Sequence, residues 1–281
     1  IIFEIGSWEI QGQLFIDNAV CAAWNPTGTK FVIGRQSNVA ELESVAVSVF
    51  DASDPSEIKL LGEFNVPGSV FAVAWSPSGK NIVVTARAGF RDKDRVFFVD
   101  AERFEVVQAA GGLNQTGNSV KFLNDTDRVL VSGNSGLDMI DFSVQPAIVK
   151  SRNDLEEVLD DLYVDSDGKR AVARSPVTGQ IKVFDVESLA DVMTIIPDDD
   201  VAHLEWNNTG DIITATTADL DIMSWNARDA FQRLGSFYAD QYQNDPTVIS
   251  DWNRENVESA VNAFIENGDW ESADLVSRSA Y

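Results

Sequence analysis

The stretch that most constrains this chain is Trp75-Ser76-Pro77-Ser78-Gly79-Lys80, which has an apolar run on each side. Val70-Phe71-Ala72-Val73-Ala74 precedes it and Asn81-Ile82-Val83-Val84-Thr85 follows it. Pro and Gly supply the turn and the β-branched run favours an extended second arm, so the segment reads strand, tight turn, strand. The unit recurs along the chain. An earlier copy is Ala19 to Ala23, Trp24-Asn25-Pro26-Thr27-Gly28-Thr29-Lys30 and Phe31-Val32-Ile33-Gly34. A third runs Ser119-Val120-Lys121-Phe122-Leu123-Asn124-Asp125-Thr126-Asp127 and then Arg128 to Gly133; a fourth runs Leu162-Tyr163-Val164-Asp165-Ser166-Asp167-Gly168-Lys169 and then Arg170 to Ala173. A fifth is Val201 to Glu205, Trp206-Asn207-Asn208-Thr209-Gly210-Asp211 and Ile212 to Thr216. Third runs follow at Val45 to Asp51, Arg95 to Asp100, Leu137 to Asp141, Gln180 to Val186 and Leu220 to Trp225. Fourth runs follow at Glu57 to Phe64, Phe104 to Gln108 and Phe231 to Phe237.

The anchor aromatics Trp24, Trp75, Phe122, Tyr163 and Trp206 are spaced by roughly 40 to 50 residues, the length of a four-stranded propeller blade. One antiparallel sheet cannot cover both its faces, whereas sheets packed around an axis cover one another. The fold class predicted is therefore all-β: a β-propeller with five full repeats and a half-blade at the N-terminus. A β-sandwich also has repeated short strands but gives no reason for a fixed unit to recur. The blades are predicted near residues 17–65, 66–110, 117–150, 155–196 and 198–238, with 1–16 as the half-blade, so that 1–238 forms the ring.

The turn Trp75-Ser76-Pro77-Ser78-Gly79-Lys80 before a β-branched strand, and the run Ile181-Lys182-Val183-Phe184-Asp185-Val186, resemble the inner-strand turn and third-strand ending of WD-repeat propellers. The repeats are degenerate. The Trp-Asp ending stands as Phe50-Asp51, Val99-Asp100, Ile140-Asp141 and Phe184-Asp185, and no repeat has the Gly-His pair before its first strand. The family's buried His-Asp-Ser/Thr-Trp network is therefore not carried over. The resemblance implies a protein-interaction scaffold whose ring is closed by strands from both termini. Here the missing strands would come from residues after Phe237 or from sequence upstream of Ile1.

After Phe237 the pattern changes. Residues 239–252, with the break Asn244-Asp245-Pro246, read as a linker, and 253–281 read as a helical hairpin. Val257, Val261, Phe264 and Ile265 have helical spacing, Gly268 is a stop, and Asp269 caps a second helix carrying Trp270, Ala273, Val276 and Ala280. Phe264, Gly268, Trp270, Ala273 and Ala280 fall where a tetratricopeptide-like hairpin would place them, so a coat- or transport-type subunit, in which a propeller leads into a helical solenoid, is one alternative function.

Formal net charge is 21 − 45 = −24, a surface that repels nucleic acid and anionic membranes. Its acidity suits solubility or a basic partner. No run of about 18 apolar residues exists to span a bilayer, and a cytoplasmic location is expected. Cys21, the only cysteine, excludes an intrachain disulfide and lies in an apolar run that suits an inert thiol.

A lone histidine, His203, excludes multi-His metal sites and suits a core or channel position. Asp165-Ser166-Asp167-Gly168 lacks the spacing of an EF-hand and reads as a β-turn, while Asp198-Asp199-Asp200 reads as a solvated loop. No catalytic residue, cofactor or metal is expected, which leaves a ligand-binding or enzymatic propeller (lactonase-like or cofactor-binding) as the other alternative. Arg87, Arg91, Lys93 and Arg95 flank Phe90 between the second and third strands of the second blade, the one basic cluster in an acidic chain. Arg87, Phe90, Arg91 and Arg95 are the candidate partner-binding residues: cations for an acidic segment and an apolar contact for its anchor. In-loop pairing with Asp92 and Asp94 is the competing account.

Overall fold

The structure is a computed structural model that describes residues 1–3, 7, 9–36, 44–87, 95–111, 117–124, 126–134, 136–152, 157–207, 210, 212–226, 239, 242–243, 246, 257, 260–261, 263–264 and 270–279. A two-stranded ribbon comes first, β1 (Ile2–Phe3) with β2 (Ile10–Gly12). Four antiparallel sheets of four strands follow. They are β3 (Ala19–Trp24), β4 (Lys30–Arg35), β5 (Ser44–Asp51) and β6 (Lys59–Pro67); β7 (Ser69–Trp75), β8 (Asn81–Arg87), β9 (Arg95–Asp100) and β10 (Glu105–Gly111); β11 (Gly117–Phe122), β12 (Arg128–Gly133), β13 (Gly136–Asp141) and β14 (Ile148–Arg152); and β15 (Asp160–Val164), β16 (Arg170–Arg174), β17 (Ile181–Asp185) and β18 (Asp191–Ile195). A sheet of three described strands ends the series, β19 (Val201–Trp206), β20 (Ile212–Thr217) and β21 (Ile222–Asn226). The run Phe231 to Phe237 lies outside the described residues.

Each sheet is an up-and-down meander whose strands pair in chain order. The first strands pack side by side, β3 on β7, β7 on β11, β11 on β15 and β15 on β19, and so surround an axis. The architecture is the all-β propeller that the repeat predicts. Alternate positions of every strand face the preceding and the following sheet, because successive side chains point to opposite faces. Four apolar layers result. Val32, Val49 and Phe64 meet Val70, Trp75 and Ile82; Ala74, Val83 and Phe98 meet Val120, Phe122 and Val129. Leu130 and Leu137 meet Leu162, Ala171 and Phe184; Val172 and Val183 meet Leu204, Trp206 and Ile213.

The anchor positions confirm one part of the sequence reading and correct another. Trp24, Trp75, Phe122 and Trp206 each end the first strand of their sheet, and Val164, not Tyr163, does so in the fourth. Gly168 stands four residues after Val164, as Gly28 does after Trp24, so the turn sets the equivalence. Trp75 and Trp206 are 8% and 7% exposed, but Trp24 is 46% exposed. This position faces the preceding sheet. Before the first blade the described chain offers only the short β1–β2 ribbon and the segment after it, which reach Phe31, Phe50 and Ala52 through Ile2 and Ile16 respectively. Trp24 keeps an edge contact with Phe31, with ring centroids 5.1 Å apart.

The turns after the first strands share one backbone pattern. The N–H groups of Asn25, Ser76, Leu123, Asp165 and Asn207 donate to the carbonyls of Lys30, Asn81, Arg128, Arg170 and Ile212. Gly28, Gly79, Gly168 and Gly210 take the positive φ that closes four of them. The first side chain then caps the returning strand: Asn25 Oδ1 accepts from Thr29 and Lys30, Ser76 Oγ from Asn81, Asp165 Oδ1 from Lys169 and Arg170, and Asn207 Oδ1 from Ile212. The third turn has Leu123 there and no Gly. Asn124 adopts φ 51° instead, and Thr126 Oγ1 accepts the Arg128 N–H.

The same end of the ring carries a second repeated device. N–H groups of Ala52, Ala101, Phe142 and Val186 donate to the turn carbonyls of Thr29, Lys80, Asp127 and Lys169. The preceding aspartates cap the next turn: Asp51 accepts from Ser53, Asp100 from Glu102 and Arg103, Asp141 from Ser143, and Asp185 from Ser188. Backbone donation from Ser53 and from Arg103 lowers the pKa of Asp51 and Asp100, and the Ser143 hydroxyl does so foremost for Asp141. Between the fourth and fifth sheets the buried Arg170 bonds Asp165 at 2.9 Å and the Gly210 carbonyl at 2.8 Å, with its guanidinium 5.0 Å from the Trp206 ring.

Of the region expected as a helical hairpin, the structure describes helix α1 (Trp270–Ser279) and isolated helical positions, among them Val257, Ala260, Ala263 and Phe264. Ala273 and Val276 share an apolar cluster with these residues and with Ala239 and Tyr242, and Val192 of β18 packs against it.

Two consequences are measurable. Trp75→Ala is expected to cost about 3–5 kcal/mol by urea unfolding, the scale for a large buried aromatic. Trp24→Ala, whose ring is half in water, is expected to cost less than half of that. Equal losses would contradict the facing assignment. The depressed aspartates stabilise the fold fully above the ordinary carboxylate pKa of about 3.9, and this contribution is lost as pH falls through their lower folded values. Relief of the overall negative charge acts in the opposite direction. An Asp51→Asn, Asp100→Asn, Asp141→Asn variant is therefore expected to be less stable than wild type at pH 6, with the gap narrowing below about pH 4.

Candidate functional site

The two ends of the ring differ chemically. One carries the tight turns and aspartate caps and is here called the turn end. The other carries the loops from second to third strands and those leading into each first strand, which is shown by Gln36 donating to Asn18, Leu159 to Gly133 and Ala218 to Asp200. On this loop end most described cations are already committed. Arg35 pairs with Glu63 at 2.8 Å and shares a bond network with Ser48. Arg174 pairs with Asp160 at 2.8 Å and donates to the carbonyls of Val201 and Ala202, crossing to the next sheet. Lys182 lies 2.9 Å from Glu157 and 3.5 Å from Asp191. The carboxylate of Asp160 keeps Arg174 firmly protonated.

Arg87 ends β8 and Arg95 opens β9, both exposed, with Ala86 paired to Arg95. They bring two of the candidate partner-binding cations to one rim of the loop end. Phe90 and Arg91, like Lys93, Asp92 and Asp94, lie outside the described residues. The backbone of Asp198–Asp200 lies beside Ala218 at the same end.

His203 does not lie in the core. Its side chain is 79% exposed, and its Nδ1 stands 3.8 Å from Asp161 Oδ2. Leu204 and Trp206 fill the layer between the fourth and fifth sheets, while Glu205 between them is exposed and His203 stands at a shift of strand register, beside Asp161. Cys21 matches its inert reading, since burial raises its pKa to about 11. Asp165-Ser166-Asp167-Gly168 is a turn, as read.

Around the axis the structure assembles groups that the sequence reading did not single out. The first strands place Lys121 and Tyr163 next to each other, Lys121 Nζ standing 4.4 Å from the centroid of the Tyr163 ring. Asp161, with φ 49° at a break in strand register, accepts the Leu204 N–H and so links β15 to β19. Burial raises the Asp161 carboxyl pKa, against the lowering by that N–H and by His203 and Arg174. Burial likewise lowers the Lys121 ammonium, with Asp161 and Glu205 acting the other way. Toward the turn end Lys121 borders an open cleft of about 450 Å³, walled by Trp24, Trp75, Phe122 and Tyr163. The available signal was the charge in Val120-Lys121-Phe122: an ionic side chain at every-second-residue spacing within an apolar strand points to the axis or to a layer.

No family model matches the chain, and no curated protein matches it. Among solved structures, the β-propeller domain of Cps50 (Swd1) from Myceliophteria thermophila is similar. The TM-score is 0.62 over 78% of this chain and 68% of that one, at 11% identity. At this identity the likeness is one of fold. Among the described residues no helix is long and apolar enough to cross a membrane.

Proposed function

We propose that this chain is a non-enzymatic protein–protein interaction scaffold of WD-repeat-like type, holding an acidic segment of a partner on the loop end of its ring. The observation that carries this reading is the placement of Arg87 and Arg95 at the ends of adjacent strands on that end, in a chain of net charge −24. Both are exposed where β8 ends and β9 begins, so their guanidinium groups are within reach of a partner's carboxylates. Phe90, between them in sequence, supplies the apolar anchor, and Arg91 adds a third guanidinium. The layered sheets support the reading physically: packed sheets fix the ends of β8 and β9, so Arg87 and Arg95 need not be brought together on binding. A negative chain makes nucleic acid an unfavourable partner. We place the scaffold in the cytoplasm, within a larger assembly.

The test is a pull-down from native extract with wild type and a Phe90→Ala, Arg91→Ala variant, after both are shown to melt alike. The expected result is loss of one or more captured proteins from the variant. An Arg87→Ala, Arg95→Ala variant should lose the same proteins, and raising salt from 0.15 to 0.5 M should weaken their capture. An unchanged set across both variants would overturn the site.

A further inference from the structure

We propose that the cleft at the turn end of the axis is a binding site for a small aryl carboxylate, a flat apolar body bearing one negative charge. The cleft collects aromatic residues from the turn ends of four first strands. Trp24 comes from β3, Trp75 from β7, Phe122 from β11 and Tyr163 from β15, and Lys121 stands among them. Its volume of about 450 Å³ falls in the range of small-molecule sites, about 300–1,000 Å³. The walls favour a planar partner, because aromatic faces gain most from offset or edge contact with another ring. Trp24 is the most exposed of the four aromatic residues of the wall.

The charge follows from the same residues. Lys121 is the one ionic side chain among the residues that line the cleft. Its ammonium already occupies the Tyr163 ring at 4.4 Å, so a second cation would find that face taken and would be repelled by Lys121. A carboxylate near Nζ gains a charge-assisted bond and offsets the desolvation that the ammonium bears in the unliganded ring. Asp161 and Glu205 act on the Lys121 ammonium but are not among the residues that line the cleft, and a ligand carboxylate competes with them for it. Charges farther than about 8 Å through solvent are largely screened at physiological ionic strength.

An isosteric series tests the proposal on the full chain: indole-3-acetate, its neutral counterpart indole-3-acetamide, and the cation tryptamine. Binding is read by calorimetry and by quenching of tryptophan fluorescence at 0.15 M salt. Indole-3-acetate is expected to bind at least about tenfold tighter than the amide, equivalent to about 1.4 kcal/mol, and tryptamine weakest. Lys121→Met should bring the acetate down to the affinity of the amide. Trp24→Ala should weaken acetate and amide by a similar factor and preserve their ratio. Equal affinity of acetate and amide, tighter binding of tryptamine, or no binding of the acetate at millimolar concentration would each overturn the proposal. The wild-type series decides the matter even if a variant fails to fold, and it is independent of the loop end.

Discussion

Everything in this ring depends on one requirement: a four-stranded antiparallel sheet with two apolar faces must have a neighbour on each. Valine and isoleucine on alternate strand positions are useless, and prone to aggregation, unless another sheet covers them. The second, third and fourth sheets meet the requirement on both sides, and their facing residues are almost fully buried. The two flanks of the series show what happens where it is met only in part. Trp24, facing backward from the first blade, keeps half its surface in water, whereas the equivalent Trp75 and Trp206 are buried. Glu205, on the other side of β19 from Leu204 and Trp206, is polar and exposed, where Ala74 in the equivalent place on the second blade is buried.

Polar groups then fix how the layers sit. Thr85 Oγ1 donates to the Gly117 carbonyl, Asn118 to the Leu159 carbonyl, Asp161 accepts from Leu204, and Arg174 donates to Val201 and Ala202. These bonds run from one sheet to the next, so they resist sliding, which apolar packing alone tolerates. The Arg170–Asp165 pair lies within the fourth sheet and is buried. Such a pair is weak evidence of net stability, because desolvation offsets much of its attraction, yet removing one partner would strand a charge. Its geometry also tethers the Gly210 turn to the fourth sheet. An exposed pair such as Arg128–Glu187 contributes only about 0–1 kcal/mol.

The division of the ring into two ends has functional weight. The turn end is built from short, capped, glycine-closed turns whose polar atoms are largely satisfied within the chain. One of its recesses is aromatic and carries Lys121, and another, lined by Arg128, Asp167, Lys169 and Glu187, is polar. The loop end carries the rim marked by Arg87 and Arg95. A ring of this kind can present two chemically distinct surfaces without moving either, because the sheets between them are packed through side chains on both faces.

The sequence by itself determined the repeating unit. Turn glycines, capping Asn, Ser and Asp residues and β-branched runs act locally, within a few residues, so strand, turn and repeat length were legible in Trp75 to Lys80 and its copies. Even the equivalence of Val164 with Trp24 was available from the spacing to Gly168, and was missed because Tyr163 is the aromatic residue. What only the tertiary structure decided is which neighbour each side chain meets. Alternation along a strand tells that Trp24 and Trp75 share a facing. It does not tell that one has a full sheet opposite it and the other a two-stranded ribbon. Nor could it bring Lys121 over Tyr163 or Asp161 to Leu204, residues about forty apart in sequence. Those contacts arise where separate first strands converge on an axis, and that convergence depends on the packing of whole sheets, which no local pattern encodes.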